Sequence, residues 1–172
     1  MAYTKINWEN LPSTNTPVNA DNLNHMDQGI YDANEKNIIT AGITNNVTIS
    51  TGGSNNINLN RTIASVGSKL TLSNGKIVIG AGVNHILISG QWNMYIQTGN
   101  GDAKNFYVQK NSSNIITGLN TIVRTVAVNA TRGIGNLLIG VEPGDTISYQ
   151  VYGGVNDSVT AAGNYLTVEV ID

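Results

Sequence analysis

Side chains that could do chemistry are few in this chain and lie mostly in turn-like sequence. The chain has no cysteine and two histidines, His25 and His85. Without cysteine, disulfides and thiolate metal sites are excluded. His25 falls in a helical pattern and His85 opens an apolar strand, so we expect structural roles for both. Because no G-x-S-x-G elbow is present either, nucleophilic catalysis has little support.

The carboxylates offer two further kinds of site. Glu142 and Asp145 could supply the carboxylate pair of a glycoside hydrolase. Asp102, Asp145 and Asp157 could hold a calcium ion, but their spacing is not that of an EF-hand loop. All of them lie in turn-like sequence, and we expect structural roles. The sequence therefore predicts a protein that is not an enzyme, with no cofactor and no metal site.

The composition points to assembly. Charged residues make up 12% of the 172 residues, about half of the ~25% typical of soluble proteins. Neutral polar residues, chiefly Asn and Thr, take their place. Such a surface has little charge repulsion to keep copies apart. We therefore expect the chain to pack among other copies of itself.

Charge and hydropathy also restrict the partners and the cellular locations that we expect for this protein. The net charge is −2 and there is no basic run, so no nucleic-acid partner is expected. No segment approaches the ~20 apolar residues that span a bilayer, and no signal peptide follows Met1. We expect neither membrane insertion nor secretion. The protein should be made and folded in a cytosol.

Residues 1–20 form an extended N-terminal segment. Pro12 and Pro17 prevent a long helix there. Four apolar side chains in this segment are too hydrophobic to remain in water. They either pack on the protein's own helix or anchor the molecule to a larger particle. These candidate anchor residues are Ile6, Trp8, Leu11 and Val18.

Residues 21–42 form a predicted helical stalk and linker. Asn19 or Asp21 is a suitable N-cap. The apolar spacing of three, four and three residues is that of a coiled-coil seam. Two heptads cannot associate alone in water, so a neighbouring domain must hold the helices together. The alternative is a helix docked on its own β-domain. The predicted seam consists of Leu23, Met26, Ile30, Ala33 and the polar Asn37, followed by a linker at residues 40–42.

Residues 43–172 form a predicted β-domain. About ten short alternating segments are separated by Gly- and Asn-rich turns, with no helical pattern between them. Asn74-Gly75 lies between two such segments and is the strongest short signal for a hairpin. Strands at this spacing indicate an antiparallel two-sheet sandwich or jelly roll.

Several stretches of this domain resemble C1q/TNF-like jelly rolls. They are residues 75–90 (GKIVIGAGVNHILISG), 106–111 (FYVQKN), 141–151 (VEPGDTISYQV) and 165–171 (YLTVEVI). The resemblance covers residues 57–172. It departs from the family in its few aromatic residues, since Phe106 is the single phenylalanine. The resemblance implies a mainly β, C1q/TNF-like antiparallel jelly-roll sandwich preceded by a short helix that serves as the stalk of a homotrimer.

The N-terminal sequence resembles a second group of proteins. Residues 4–8 (TKINW) and 17–30 (PVNADNLNHMDQGI) are similar to the start of small structural proteins of tailed bacteriophages. That resemblance implies a virion protein, made in the bacterial host cytoplasm, whose N-terminus binds a capsid, tail or baseplate protein. The expected function is a trimeric fibre or knob that attaches to the host surface. The alternative is a capsid head-fibre or decoration protein without a defined receptor.

The tyrosines suggest where the β-domain meets other molecules. In the strand predicted at residues 146–152, Tyr149 and Tyr152 lie on opposite faces. We assign Tyr149 to the core and Tyr152 to contact at the trimer axis, although both could instead complete the monomer core. An Asn- and Tyr-rich surface also suits sugar hydroxyls, which makes host-surface glycans candidate partners.

Overall fold

The computed structural model describes residues 20–50, 52–97, 105–116 and 128–171. The chain divides into two compact units, Met1–Lys36 and Asn37–Asp172. The division lies six residues before the boundary predicted from sequence. The candidate anchor residues Ile6, Trp8, Leu11 and Val18 lie outside the described residues.

The first unit contributes one helix, α1, which spans Ala20–Asn34. Asp21 lies in its first turn, where a carboxylate interacts favourably with the positive end of the helix dipole. Ala20 and Asp27, two turns apart, are buried, whereas Met26 and Ile30 are exposed (64% and 46%). Leu23 is half-buried. Two members of the predicted seam are therefore open to solvent in the single chain, and the Ala33 side chain lies outside the described part.

The second unit is a two-sheet antiparallel sandwich, as predicted. Its strands are β1 (Ile38–Gly42), β2 (Val47–Thr48), β3 (Gly53–Ile57), β4 (Arg61–Val66), β5 (Leu70–Ser73), β6 (Lys76–Ile79), β7 (His85–Ile96), β8 (Asn105–Lys110), β9 (Ser113–Ile116), β10 (Val128–Gly140), β11 (Thr146–Gly153), β12 (Ser158–Val159) and β13 (Tyr165–Val170).

The two sheets have different strand orders. Sheet I runs β2-β12-β7-β13-β1-β4, and β10 pairs with β7. Because β13 and β10 both pair with residues 86–90 of β7, they lie on opposite edges of that strand. Sheet II runs β5-β6-β11-β8-β9, with β3 paired to β11. In the described part of the chain, β10 and β4 are therefore the two long outer strands of sheet I, and the two-residue strand β2 forms a further edge beside β12.

The core lies between the two sheets and is mostly aliphatic. Alternate residues of β7 and β13 point inward from sheet I, and alternate residues of β11 and β8 point inward from sheet II. Three aromatic rings pack together within it. The Trp92 ring stacks on Phe106 with 5.3 Å between the ring centroids, and it meets Tyr149 edge-on with 3.7 Å between the centroids. These rings supply much of the buried area that the chain's few aromatic residues can offer.

The predicted hairpin is confirmed. β5 and β6 pair from Leu70↔Ile79 to Ser73↔Lys76, and Asn74-Gly75 forms the turn between them. Both turn residues have positive φ, 48° and 76°, which is the backbone that this dipeptide adopts readily.

The predicted linker needs correction. Residues 40–42 belong to β1, a strand inside sheet I that pairs with both β13 and β4. Asn37 is not a heptad position, because α1 ends at Asn34. The Asn37 side chain is buried, and its Oδ1 accepts hydrogen bonds from the backbone N–H groups of Ser68 (2.9 Å) and Lys69 (2.8 Å). Asn37 therefore stabilises the start of the β-domain.

Candidate functional site

The carboxylates that could have formed a hydrolase pair form a turn instead. Asp145 makes a 2.8 Å ion pair with Lys110 and accepts hydrogen bonds from the Asn111 amide and the Glu142 backbone N–H. Burial by itself raises the pKa of Asp145, but these hydrogen bonds and the Lys110 charge together lower the pKa below its ordinary value. Asp145 is thus held as a structural anion between β8 and β11.

The other loop carboxylate that the sequence singled out, Asp157, also has a structural position. Its Oδ1 accepts a 2.9 Å hydrogen bond from the backbone N–H of Gln97, and its Oδ2 accepts one of 2.7 Å from Gly154. Asp102 lies outside the described residues. Among the residues that are described, no cluster of three or more His, Asp or Glu side chains could hold a metal ion.

Tyr149 and Tyr152 occupy opposite faces of β11, as expected. Tyr149 is fully buried, and its hydroxyl donates a 2.6 Å hydrogen bond to Asn164 Oδ1. Burial raises the pKa of Tyr149, so the hydroxyl keeps its proton and remains a donor. Tyr152 is 40% exposed on the outer face of sheet II. Its ring is therefore open to contact with another molecule.

A row of four apolar residues and one glutamate crosses the outer face of sheet I, and we call it the apolar row. The row is defined by the pairing registers of the strands, because residues opposite each other in antiparallel strands point to the same side of the sheet. The row passes from β4 through β1, β13 and β7 to β10. Its ends, Val66 and Leu138, are 55% and 58% exposed. The members in order are Val66, Ile38, Glu169, Leu87 and Leu138.

Beside the apolar row, near the centre of this outer face, the side chains are small and uncharged, and most of them are polar. The next row contains Ala64, Thr40, Thr167 and Ser89, and the Thr40 and Thr167 hydroxyls share a 2.9 Å hydrogen bond. Such side chains let another surface approach closely. We call the apolar row together with this polar row the sheet I face.

The outer strands of sheet I are themselves exposed. All six residues of β4 are exposed, and Leu138 of β10 is among the most exposed apolar side chains described. Exposed strand edges tend to pair with another chain or be covered by one. The sheet I face and its two edge strands therefore form a surface suited to association.

Sequence reasoning did not find this face. One signal was present: residues 85–88 (HILI) and 136–139 (NLLI) are runs in which inward and outward positions are both apolar. A continuous apolar run is typical of strands covered on both sides. The pairing of distant strands, which joins Leu87 to Leu138 and Ile38 to Val66, cannot be read from those runs.

The outer face of sheet II has a different character. Its central rows combine amide and tyrosine side chains: Asn56, Gln150 and Tyr107 lie side by side on β3, β11 and β8. In the neighbouring row are Ser54, Tyr152 and Asn105. Gln150 Nε2 donates a 2.9 Å hydrogen bond to Asn56 Oδ1. We call these six residues the sheet II face.

No helix in the described part of the chain has the length and hydrophobicity needed to cross a bilayer.

Comparison with known proteins shows the fold. No protein-family model matches the sequence, and no curated protein matches it. Solved structures do: murine APRIL at pH 8.5 has a TM-score of 0.57 and 11% identity, over 80% of this chain and all of that chain. Eiger TNF from S. frugiperda has a TM-score of 0.58 and 12% identity, over 80% of this chain and 94% of that chain. The β-domain is therefore a TNF-like antiparallel jelly roll.

Proposed function

We propose that the protein is a structural component of a tailed-bacteriophage virion, a homotrimeric fibre or knob that attaches to the host surface. Its N-terminal segment binds another virion protein, and its jelly roll is displayed. The TNF-like fold supports this proposal because the resemblance of residues 57–172 to C1q/TNF-like jelly rolls implies a trimer. The resemblance of residues 4–8 and 17–30 to phage structural proteins supports the virion location.

The observation that carries the trimer is the apolar row of the sheet I face. Val66 and Leu138 are more than half exposed in the single chain, and Leu87 and Ile38 lie between them. Burying an exposed Leu or Val side chain contributes about 1.5–3 kcal/mol when burial is complete. Repeated in three copies, this row favours association of the β-domains.

The helix supports the same arrangement. Met26 and Ile30 of α1 are exposed, and a helix of two heptads needs a partner domain to associate. Trimerisation of the β-domain would supply the high local concentration of helices that such a short seam requires. Leu23 and Ala33 complete the proposed stalk, whereas Asn37 belongs to the β-domain.

The anchor assignment rests on the sequence of residues 1–20. Ile6, Trp8, Leu11 and Val18 would bind a capsid, tail or baseplate protein. A chain that lacks residues 1–36 keeps Asn37 and all of β1, so it retains the hydrogen bonds to Ser68 and Lys69. The truncation therefore removes the proposed anchor and leaves the β-domain complete, so that a loss of particle binding can be told apart from a loss of folding.

The experiment compares the full chain with the 1–36 deletion in particles assembled without their native copy. We expect the full chain to copurify with particles and the folded, truncated chain to stay in the supernatant. Circular dichroism and thermal melting of the truncated chain establish that its β-domain is folded. Particle binding by the folded truncation would overturn the anchor, and absence of the full chain from particles would overturn the virion assignment.

A further inference from the structure

We propose that the sheet II face binds a neutral oligosaccharide. The inference rests on the proposed attachment function and specifies the chemical class of its receptor. It begins from the contrast between the two outer faces: the sheet I face carries the apolar row, whereas the sheet II face carries amides and tyrosines. If the first surface is used for association between copies, the second is left for a ligand.

The tyrosines supply the apolar part of the site. Gln150 lies opposite Tyr107, and Tyr152 lies two residues further along β11, so Tyr107 and Tyr152 are diagonal neighbours. Residues in that relation are about 7–8 Å apart, and their Cβ atoms are somewhat closer, which is within reach of aromatic side chains. Both rings can therefore contact one ligand. Tyr152 is 40% exposed and Tyr107 is half-buried. The C–H face of a pyranose ring is apolar and can pack on such rings, while the phenol hydroxyls remain available to hydrogen-bond.

The amides supply the directional part. Gln150 Nε2 and Asn56 Oδ1 are joined by a 2.9 Å hydrogen bond, which fixes the orientation of both groups. The outer groups that remain are the Asn56 NH₂, a donor, and the Gln150 carbonyl, an acceptor. A donor and an acceptor held beside each other match the vicinal hydroxyls of a sugar, each of which can both donate and accept.

The adjacent row shows that not every polar group of this sheet is available. Gln109 and Ser148 are buried (4% and 5% exposed), and Gln109 Nε2 donates to Asn114 Oδ1 at 3.0 Å. Their hydrogen bonds are made within the domain. The proposed site is therefore bounded on that side and consists of Asn56, Gln150, Tyr107 and Tyr152.

The charge of the surface selects a neutral ligand. On β3, β11 and β8 the outward-facing described residues are Ser, Asn, Thr, Gln and Tyr, none of them charged. The neighbouring strand β6 carries one outward cation, Lys76, whose Nζ donates a 3.1 Å hydrogen bond to Ser112 Oγ. Binding a sialylated, sulfated or phosphorylated glycan would require a cationic partner to offset its desolvation. The same composition disfavours a charged polypeptide. We therefore commit to a neutral oligosaccharide of hexose or N-acetylhexosamine units.

The affinity of one site should be weak. The face is open and offers few hydrogen bonds, so a dissociation constant in the millimolar range is expected for each copy. Three copies on one axis, and many trimers on one particle, raise the apparent affinity through multivalency. An assay must therefore present the glycans densely.

The test is binding of the full-length protein to an array of densely immobilised neutral and acidic oligosaccharides. We compare the wild type with Tyr107→Ser, Tyr152→Ser and Gln150→Ala. Tyr31→Ser is the matched control, because Tyr31 has the same 40% exposure as Tyr152 but lies on α1. We expect the wild type and the control to bind neutral glycans, and each sheet II variant to lose at least tenfold in signal.

Three results would overturn the proposal: no neutral glycan bound by the wild type, binding restricted to acidic glycans, or binding that all three sheet II variants retain. The molar mass of every sample is measured by light scattering. A trimer that binds no glycan would contradict this inference and leave the proposed assembly intact; such a protein would match a head-fibre or decoration role without a receptor. A monomeric wild type would contradict the proposed assembly, whatever its glycan binding.

Discussion

Leu138 of β10 lies directly opposite Leu87 of β7 on the outer face of sheet I. The pair continues a row that reaches Val66 at the far edge of the sheet, with Glu169 as its one charged member. The neighbouring residues of β7, Ile86 and Ile88, are fully buried in the core. Around Leu87 and Leu138, sheet I is thus apolar on both sides, which is the property expected of a sheet that is covered on both faces.

Asn37→Ala should destabilise the β-domain. The substitution removes the acceptor for the Ser68 and Lys69 backbone N–H groups, at a cost of about 1–3 kcal/mol in the free energy of unfolding. Urea denaturation measures the change. Asn45→Ala, at an exposed position, is the control and should change stability by less than about 0.5 kcal/mol. Equal stability of the two variants would contradict the assignment of Asn37 to the β-domain.

Tyr149→Phe should cost about 1–2 kcal/mol of stability. The variant keeps the ring beside Trp92 but leaves Asn164 Oδ1, in a side chain that is 2% exposed, without its 2.6 Å donor. Tyr152→Phe removes the same hydroxyl from an exposed ring and should be nearly neutral. Chemical denaturation of both variants is the measurement, and a neutral Tyr149→Phe would mean that the hydroxyl does not stabilise the core.

Gly90→Ala should destabilise sheet I by about 1–3 kcal/mol through overpacking. A Cβ at Gly90 would lie 2.5 Å from the backbone oxygen of Tyr165. Gly135→Ala in β10 is the control, because its Cβ would meet no atom within 4 Å. Thermal melting should separate the two variants clearly. A Gly90→Ala protein that melts with the wild type would show that β7 and β13 are not packed this closely.

Asp145 gives the fold a defined acid sensitivity. Its pKa is lower in the folded protein than its ordinary value of 3.8, so its contribution to stability is fully present above about pH 4 and is lost as the pH falls through the folded pKa. Asp145→Asn should therefore be less stable than the wild type at pH 7, and the difference should narrow below pH 4.

Lys110→Met removes the ion-pair partner of Asp145. The difference in stability between this variant and the wild type should likewise become smaller as the pH falls. Denaturation at pH 7, 5, 4 and 3 measures both variants. A stability difference that stays constant over this range would mean that the carboxylate is not held as an anion in the folded state.

Some of the fold could be read from the sequence because local chemistry specified it. The Asn74-Gly75 turn has the backbone that its residues favour, and the alternation of residues 146–152 placed Tyr149 inside and Tyr152 outside. The TNF-like jelly roll was likewise predicted from sequence and is shown by comparison with solved structures.

Other elements could not be read because long-range pairing specifies them. β3 has the sequence GSNNI, which by composition is a loop, and its strand conformation comes from pairing with β11. The end of the helix could not be read from the sequence for a related reason. A polar residue at position 37 suits a coiled-coil seam, and it suits equally well the role that Asn37 has here, which is to accept hydrogen bonds from the backbone of Ser68 and Lys69. The sheet I and sheet II faces are assembled from distant strands and have no local signature.

The molar mass of the purified protein by light scattering tests the proposed assembly most directly, with Leu138→Asp as the variant. Val155→Asp is its control, because Val155 is 56% exposed, against 58% for Leu138, and lies in the turn between β11 and β12. We predict a mass three times the 18.2 kDa of one chain for the wild type and for Val155→Asp, and a folded species of lower mass for Leu138→Asp. A monomeric wild type, or a Leu138→Asp variant that remains trimeric, would contradict association through the sheet I face.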